Sequence, residues 1–173
     1  MAEALLLSGT VGAGKTSVAD ALGDLLQEAG VAGAVIDVDW LRRCWPAPPG
    51  DRFHHDLTLR NLQAVAGTYL AAGAHRLVLA GVLESRDQRD DYQAALGVPL
   101  TVCRLHADLT TVRQRLEQRH AQDPAGLAWH RERCGELDDI LRRANVEDFT
   151  VDGSTGSVHD IAAAVRAAAG WKD

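Results

Sequence analysis

Short apolar runs alternate along this chain with longer stretches in which apolar residues recur at helical spacing. That alternation belongs to an α/β protein whose parallel strands are joined by crossover helices. Five segments read as strands, at residues 4–7, 34–36, 77–80, 100–105 and 148–151, each short and bounded by glycine, proline or a charged residue. Between them Val18, Leu22, Leu25 and Ala29 form one helical stripe, and Leu109, Val112 and Leu116 form another behind Asp108 as N-cap. A longer helix is expected from about residue 53 to 72, ended by Gly73, and a last one from the Ser157 cap, turning Val158, Ile161 and Val165 inward. No repeat, low-complexity tract or linker interrupts the pattern, and residues 46–50 are a loop within it.

A length of 173 residues with 46% hydrophobic content suits one domain spanning 1–173 with a core of its own. Its 24 acidic against 18 basic residues, spread along the chain, argue against a general nucleic-acid or anionic-membrane binder and for a small-molecule partner. Monomer and homodimer both remain open. Cys44, Cys103 and Cys134 are far apart and odd in number, so they read as reduced thiols. The first residues lack a basic leader region, and no run approaches the roughly 18 apolar residues of a membrane span, which places the chain in the cytoplasm. Only Lys15 and Lys172 are lysines in an otherwise arginine-using chain, which singles out Lys15. A compact ammonium fits where a guanidinium fork is too bulky.

Lys15 stands in residues 9–16, a G-x-x-x-x-G-K-[ST] motif set after an apolar strand and before an amphipathic helix. Gly9, Gly12 and Gly14 allow the tight turn that brings the N–H groups of Thr10, Val11, Ala13 and their neighbours toward phosphate oxygens, and the helix beginning near Ser17 adds its positive end. Lys15 is expected to bridge the β- and γ-phosphates of ATP, and Thr16 to be a ligand of Mg²⁺.

At the end of the second strand, Asp37 and Asp39 point to the crevice where such sheets bind ligands. Asp39 is the candidate general base and Asp37 the holder of a magnesium-bound water, while capping of the next helix is the alternative for both. The third strand has no acid at its tip, which disfavours a motor ATPase, and the guanine-reading motifs of GTPases are absent. Arg42, Arg86 and Arg89 are candidates to clamp an anionic group of an acceptor; a solvated helix face with Arg86 paired to Asp90 explains the latter two equally well. Arg115 and Arg119 share a helix face ahead of a polar segment with the look of a lid, where one or both would cover the phosphates, or simply complement a helix dipole. The seven histidines show no metal-ligand spacing.

With these residues in place, the chain resembles small P-loop kinases: the adenylylsulfate kinases, the gluconate and shikimate kinase group, and the chloramphenicol phosphotransferases. Asp39-Trp-Leu-Arg42 is similar to the D-x-x-R element of adenylylsulfate kinases, and Arg86-Asp-Gln-Arg89-Asp90 to their R-x-x-R-D element. Residues 38–41 are similar to the chloramphenicol phosphotransferase segment that carries its base. Leu83-Glu-Ser85 stands where adenylylsulfate kinases carry Ser-Pro-Tyr. The resemblance implies a three-layer P-loop NTPase fold, with a five-stranded parallel sheet in the order 2-3-1-4-5 and helices on both faces. It also implies an acceptor site in the 40–60 region and a small lid near 119–135. The function expected is ATP-dependent transfer of the γ-phosphoryl group to a hydroxyl of a small molecule, with Asp39, Arg42, Arg86 and Arg89 around the acceptor. A nucleotide-binding regulator or slow ATPase, and a kinase that inactivates an antibiotic or nucleoside, are the alternatives.

Overall fold

The fold is that of a computed structural model, which describes residues 1–51 and 53–171 apart from the side chain of Arg119. All five expected strands form: β1 (Glu3–Ser8), β2 (Gly33–Asp37), β3 (Arg76–Ala80), β4 (Leu100–His106) and β5 (Phe149–Asp152). They make one parallel sheet in the order β2-β3-β1-β4-β5. Among the described residues seven helices accompany them: α1 (Lys15–Glu28), α2 (Val38–Leu41), α3 (His55–Ala71), α4 (Arg86–Leu96), α5 (Leu109–Arg119), α6 (Pro124–Ala144) and α7 (Val158–Ala168). Among the described residues, no helix is long and apolar enough to cross a membrane.

The central strand β1 explains the continuous Ala-Leu-Leu-Leu run. Its alternate side chains enter two different cores, because helices cover both faces of a parallel sheet. Ala4 and Leu6 join Leu62, Leu79 and Tyr92 under α3 and α4. Leu5 and Leu7 join Val18, Leu22, Ile161 and Val165 under α1 and α7. Each fully buried leucine contributes roughly 1.5–3 kcal/mol of transfer free energy, so the strand that carries the phosphate loop is the best anchored of the sheet.

One helix is absent from the sequence expectation. The stretch after His120 is expected only as a polar segment with a lid near 119–135, yet α6 runs through it, starting at Asp123, whose carboxylate accepts from Gly126 N, with Pro124 in the first turn. Its buried residues Cys134, Leu137 and Leu141 follow helical spacing, but charged neighbours and two glycines dilute the stripe. The lid expected near 119–135 is thus the α5–α6 turn and the first half of α6. The second half is fixed to the sheet by Arg104, which lies 2.8 Å from Asp138.

A third, small core holds α5 and α6 against the turn after β1: Val112, Leu116, Ala107 and Cys134, with Val11 packed on it. Asp108 starts α5, accepting from Thr111 N at 2.9 Å and from the Thr111 hydroxyl. The Thr111 hydroxyl and amide bonds hold this carboxyl down at about 2, below its ordinary 3.8. A depressed folded-state value means stability that is present above about pH 4 and lost as pH falls toward 2. Asp108→Ala is therefore expected to lower the melting temperature at neutral pH, with the gap to the parent protein closing between pH 4 and pH 2, as read by circular dichroism melts across that range.

Candidate functional site

The turn between β1 and α1 is built by close approach of backbone. A Cβ on Gly9 would stand 2.6 Å from the Leu105 carbonyl oxygen of β4, so no side chain fits there. Gly12 has φ 81° and Gly14 φ 94°, the left-handed region that costs other L-residues roughly 1–2 kcal/mol. At Gly12 a Cβ would also press on Val112 and Leu116 at 3.1–3.3 Å, so α5 roofs the loop directly. Thr10 is buried and its hydroxyl donates to the Cys134 carbonyl at 2.7 Å, fastening the loop to α6. The Lys15 ammonium donates to the Gly9 carbonyl at 2.9 Å and the Thr10 carbonyl at 3.0 Å, which curls the loop around its own lysine. Val11 packs on the small core and Ala13 is buried, while Thr16 and Ser17 are exposed on the first turn of α1.

The electrostatics of this turn follow from what caps it. α4, α5, α6 and α7 each begin at a Ser or Asp whose side chain accepts a backbone N–H, and Asp51 accepts from His55 N and Leu57 N at the start of α3. α1 begins instead at Gly14, which has no side chain, and its first turn contains no acid. Its positive end is left for an external anion, and a glycine cradle of this shape fits a phosphate chain.

Beside it, Asp37 divides its carboxylate. One oxygen accepts from the Thr16 hydroxyl at 3.0 Å and the other from Asp39 N at 2.9 Å, so the residue caps α2 and meets the phosphate loop at once. Thr16 and Asp37 are a donor set of hard oxygens, which suits Mg²⁺. Among the described residues no three His, Cys, Asp or Glu side chains cluster to cage a metal, so such a cation would share its shell with phosphate and water. The Asp39 carboxylate is exposed and lies 3.7 Å from Arg42 Nε. Arg42 also bonds the Tyr92 hydroxyl of α4, whose titration is raised by burial despite that guanidinium.

The other arginines are distributed differently from the sequence expectation. Arg89 Nη2 is 2.8 Å from Asp148, and its Nη1 donates to the Val146 carbonyl. Arg86 donates to the Asn145 carbonyl at 3.3 Å. Both therefore hold α4 to the junction of α6 and β5, and neither shares a contact with Asp39 or Arg42. Arg115 does reach the loop, donating to the Ala13 carbonyl at 3.2 Å and to the Gly153 carbonyl at 2.8 Å. Arg119 is expected beside it on the same face, and its side chain lies outside the described residues. Arg133 pairs with Glu84 at 3.0 Å, joining α6 to the segment after β3, and Arg131 lies 3.6 Å from Glu117 within the α5–α6 unit.

Three elements of the site escaped the sequence reading. Tyr92 carries no motif; it is buried, with Arg42 at its hydroxyl. Glu84 has no motif and gains meaning only from Arg133. The loop after β5 comes close enough that a Cβ on Gly153 would stand 3.4 Å from the Ala13 carbonyl; a run of small residues beyond a strand's C-terminal end was the available signal. Cys103 is buried, with its thiol pushed up to about 12 by desolvation, so it is inert packing.

Comparison with known proteins agrees with this geometry. A family model described as AAA domain matches residues 5–147. No curated protein sequence matches the chain. Among solved structures, a tunicamycin resistance protein of Deinococcus radiodurans is similar with a TM-score of 0.69 at 19% identity, covering 99% of this chain and 98% of that one. An APS kinase of Mycobacterium tuberculosis, solved in complex with AMPPNP and APS, has a TM-score of 0.60 at 22% identity, with 95% of each chain covered. A shikimate kinase of Acinetobacter baumannii in complex with shikimate has a TM-score of 0.62 at 18% identity, covering 99% of this chain and 96% of that one. At such identities the likeness is one of fold.

The geometry of Gly12 generates a direct expectation. Gly12→Ala adds left-handed strain of roughly 1–2 kcal/mol and pushes on Val112 and Leu116. Calorimetric titration should find MgATP affinity lower by about tenfold or more in this variant.

Proposed function

We propose that this chain, which belongs to the P-loop family described as AAA domain, is an ATP- and Mg²⁺-dependent phosphotransferase acting on a hydroxyl of a small molecule. The observation that carries the reading is the Thr16–Asp37–Asp39 chain of contacts, which sets two carboxylates on the lip of an uncapped helix end. A nest alone binds nucleotide. A nest with an exposed carboxylate immediately beside it has somewhere to put a proton.

Lys15 and the loop amides hold the β- and γ-phosphates, and Thr16 with Asp37 holds the cation, which when bound neutralises charge between those phosphates. Asp39 orients the acceptor hydroxyl and accepts its proton as the new oxygen–phosphorus bond forms and the bond to ADP breaks. Arg42 keeps Asp39 in place through the Tyr92 hydroxyl. Arg115 closes the nucleotide side from α5, adding positive charge without a chemical role of its own. α6 is anchored from Arg133 onward, so the part of the lid that moves is residues 120–132. Arg86 and Arg89 act on the acceptor only indirectly, by fixing α4 and hence Tyr92.

The contrasting reading is a nucleotide-binding regulator or slow ATPase, in which no hydroxyl compound raises ADP release above the rate with water. Three variants test the roles. Asp39→Ala should lower acceptor-dependent turnover roughly a hundredfold to ten-thousandfold while leaving MgATP affinity nearly intact. Asp37→Asn should instead raise the Mg²⁺ concentration needed for half-maximal rate. Lys15→Ala should damage nucleotide binding and turnover together; a coupled ADP assay with parallel calorimetry separates these outcomes, and full turnover by Asp39→Ala would remove Asp39 as base.

A further inference from the structure

Arg115 marks one end of the phosphate loop, donating to the Ala13 carbonyl and to the Gly153 carbonyl beyond β5. At the other end Lys15 Nζ reaches the Gly9 and Thr10 carbonyls, and in the reading above that ammonium serves the terminal phosphates. Two ties bring further residues to the Lys15 end. Leu83 N donates to the buried Ser8 hydroxyl at 3.4 Å, which runs the segment after β3 alongside the start of the loop, and Glu84 is the next residue. Thr10 donates to the Cys134 carbonyl at 2.7 Å, and Arg133 is the residue before it. Arg133 and Glu84, each one residue from a tie to the loop, meet with Nη2 3.0 Å from Oε1.

This pair is open to exchange. Its side chains are 28% and 37% exposed, and ion pairs so accessible to water are weak. Glu136, itself largely exposed, holds the other terminal nitrogen of the guanidinium at 2.8 Å. A terminal phosphate carries more negative charge than a carboxylate and offers as many acceptors to the same fork, so it outcompetes a partly screened one. The main chain does not have to follow. Cys134 stays tied to Thr10, and Glu84 N donates to Gln88 Oε1 at 2.8 Å, so the exchange needs only the Arg133 side chain to move.

We propose that the terminal phosphate of ATP displaces Glu84 as the partner of Arg133, which makes this pair the means by which the site tells ATP from ADP. ADP stops one phosphate short and leaves the pair closed. The inference rests on the phosphotransferase reading above and gives a role to Glu84, which that reading does not use.

The test is calorimetric titration of the full chain with Mg²⁺ and either ADP or AMPPNP, a triphosphate that is not turned over. Arg133→Ala should weaken AMPPNP about tenfold or more and leave ADP within about twofold. Glu84→Gln, which frees the guanidinium, should tighten AMPPNP about twofold to fivefold with ADP unchanged, and the double variant should behave as Arg133→Ala. A contact that merely braces α6 would move both nucleotides together, so equal losses in Arg133→Ala overturn the inference. Weaker AMPPNP binding in Glu84→Gln overturns it as well, since the pair would then have to stay closed. Glu84→Gln keeps the shape of the side chain, so this arm stands even where Arg133→Ala loses its fold. Neither nucleotide binding to the parent protein removes the phosphotransferase reading and this inference with it.

Discussion

A helix end without a cap is an electrostatic demand, and in this chain the demand sits at Lys15, where α1 starts from a glycine. Its position follows from the sheet. β1 is buried on both faces between β3 and β4, so the turn that leaves it emerges in the middle of the C-terminal edge. The turn then has to pass the Leu105 carbonyl and fit below Val112 and Leu116, which only glycines at 9 and 12 allow. Lys15 closes the ring by holding the Gly9 and Thr10 carbonyls. The result is a turn tied back on itself, by Lys15 and by Ala13 N, which donates to the Thr10 carbonyl at 3.2 Å, ahead of an uncapped helix end.

The surrounding elements divide their work around that nest. On the nucleotide side, Arg115 and the Gly153 loop stand over the start of α1, and Thr10 ties the nest to α6. On the opposite side, Asp37 serves Thr16 with one oxygen and the Asp39 amide with the other, so any shift in the loop is felt by the candidate base. Arg42 and Tyr92 then link Asp39 to α4, and Arg89 links α4 to β5 through Asp148. An arginine that looks like a ligand clamp in sequence thus becomes a strut. The same guanidinium geometry serves carbonyls and carboxylates of the protein as readily as those of a substrate.

What was legible in the sequence follows from what each signal depends on. The strands, most of each helix stripe and the glycine-lysine turn depend on local periodicity and backbone conformation, and these appeared where expected, with ends displaced by one or two residues. Val158, expected to turn inward, is 44% exposed in the first turn of α7, and Ala29 lies exposed past the end of α1. The strand order came from the family resemblance and is the order observed. α6 was missed because its apolar stripe is only three buried residues long amid charges. Pairings such as Arg133 with Glu84, or Arg86 with Asn145, join residues far apart in the chain, and no local pattern encodes them. Asp37 had two candidate roles in the sequence, cap or metal-side acid; it caps α2 through Asp39 N, and its other oxygen meets the Thr16 hydroxyl.

The account stands on the glycine turn after β1 and the uncapped start of α1 as the place where a phosphate chain binds. Isothermal titration of the purified chain with ATP in the presence of Mg²⁺ tests that most directly: one nucleotide per chain should bind, and affinity should fall steeply when the β- and γ-phosphates are trimmed to AMP. No measurable heat with MgATP, or equal affinity for AMP, would contradict it.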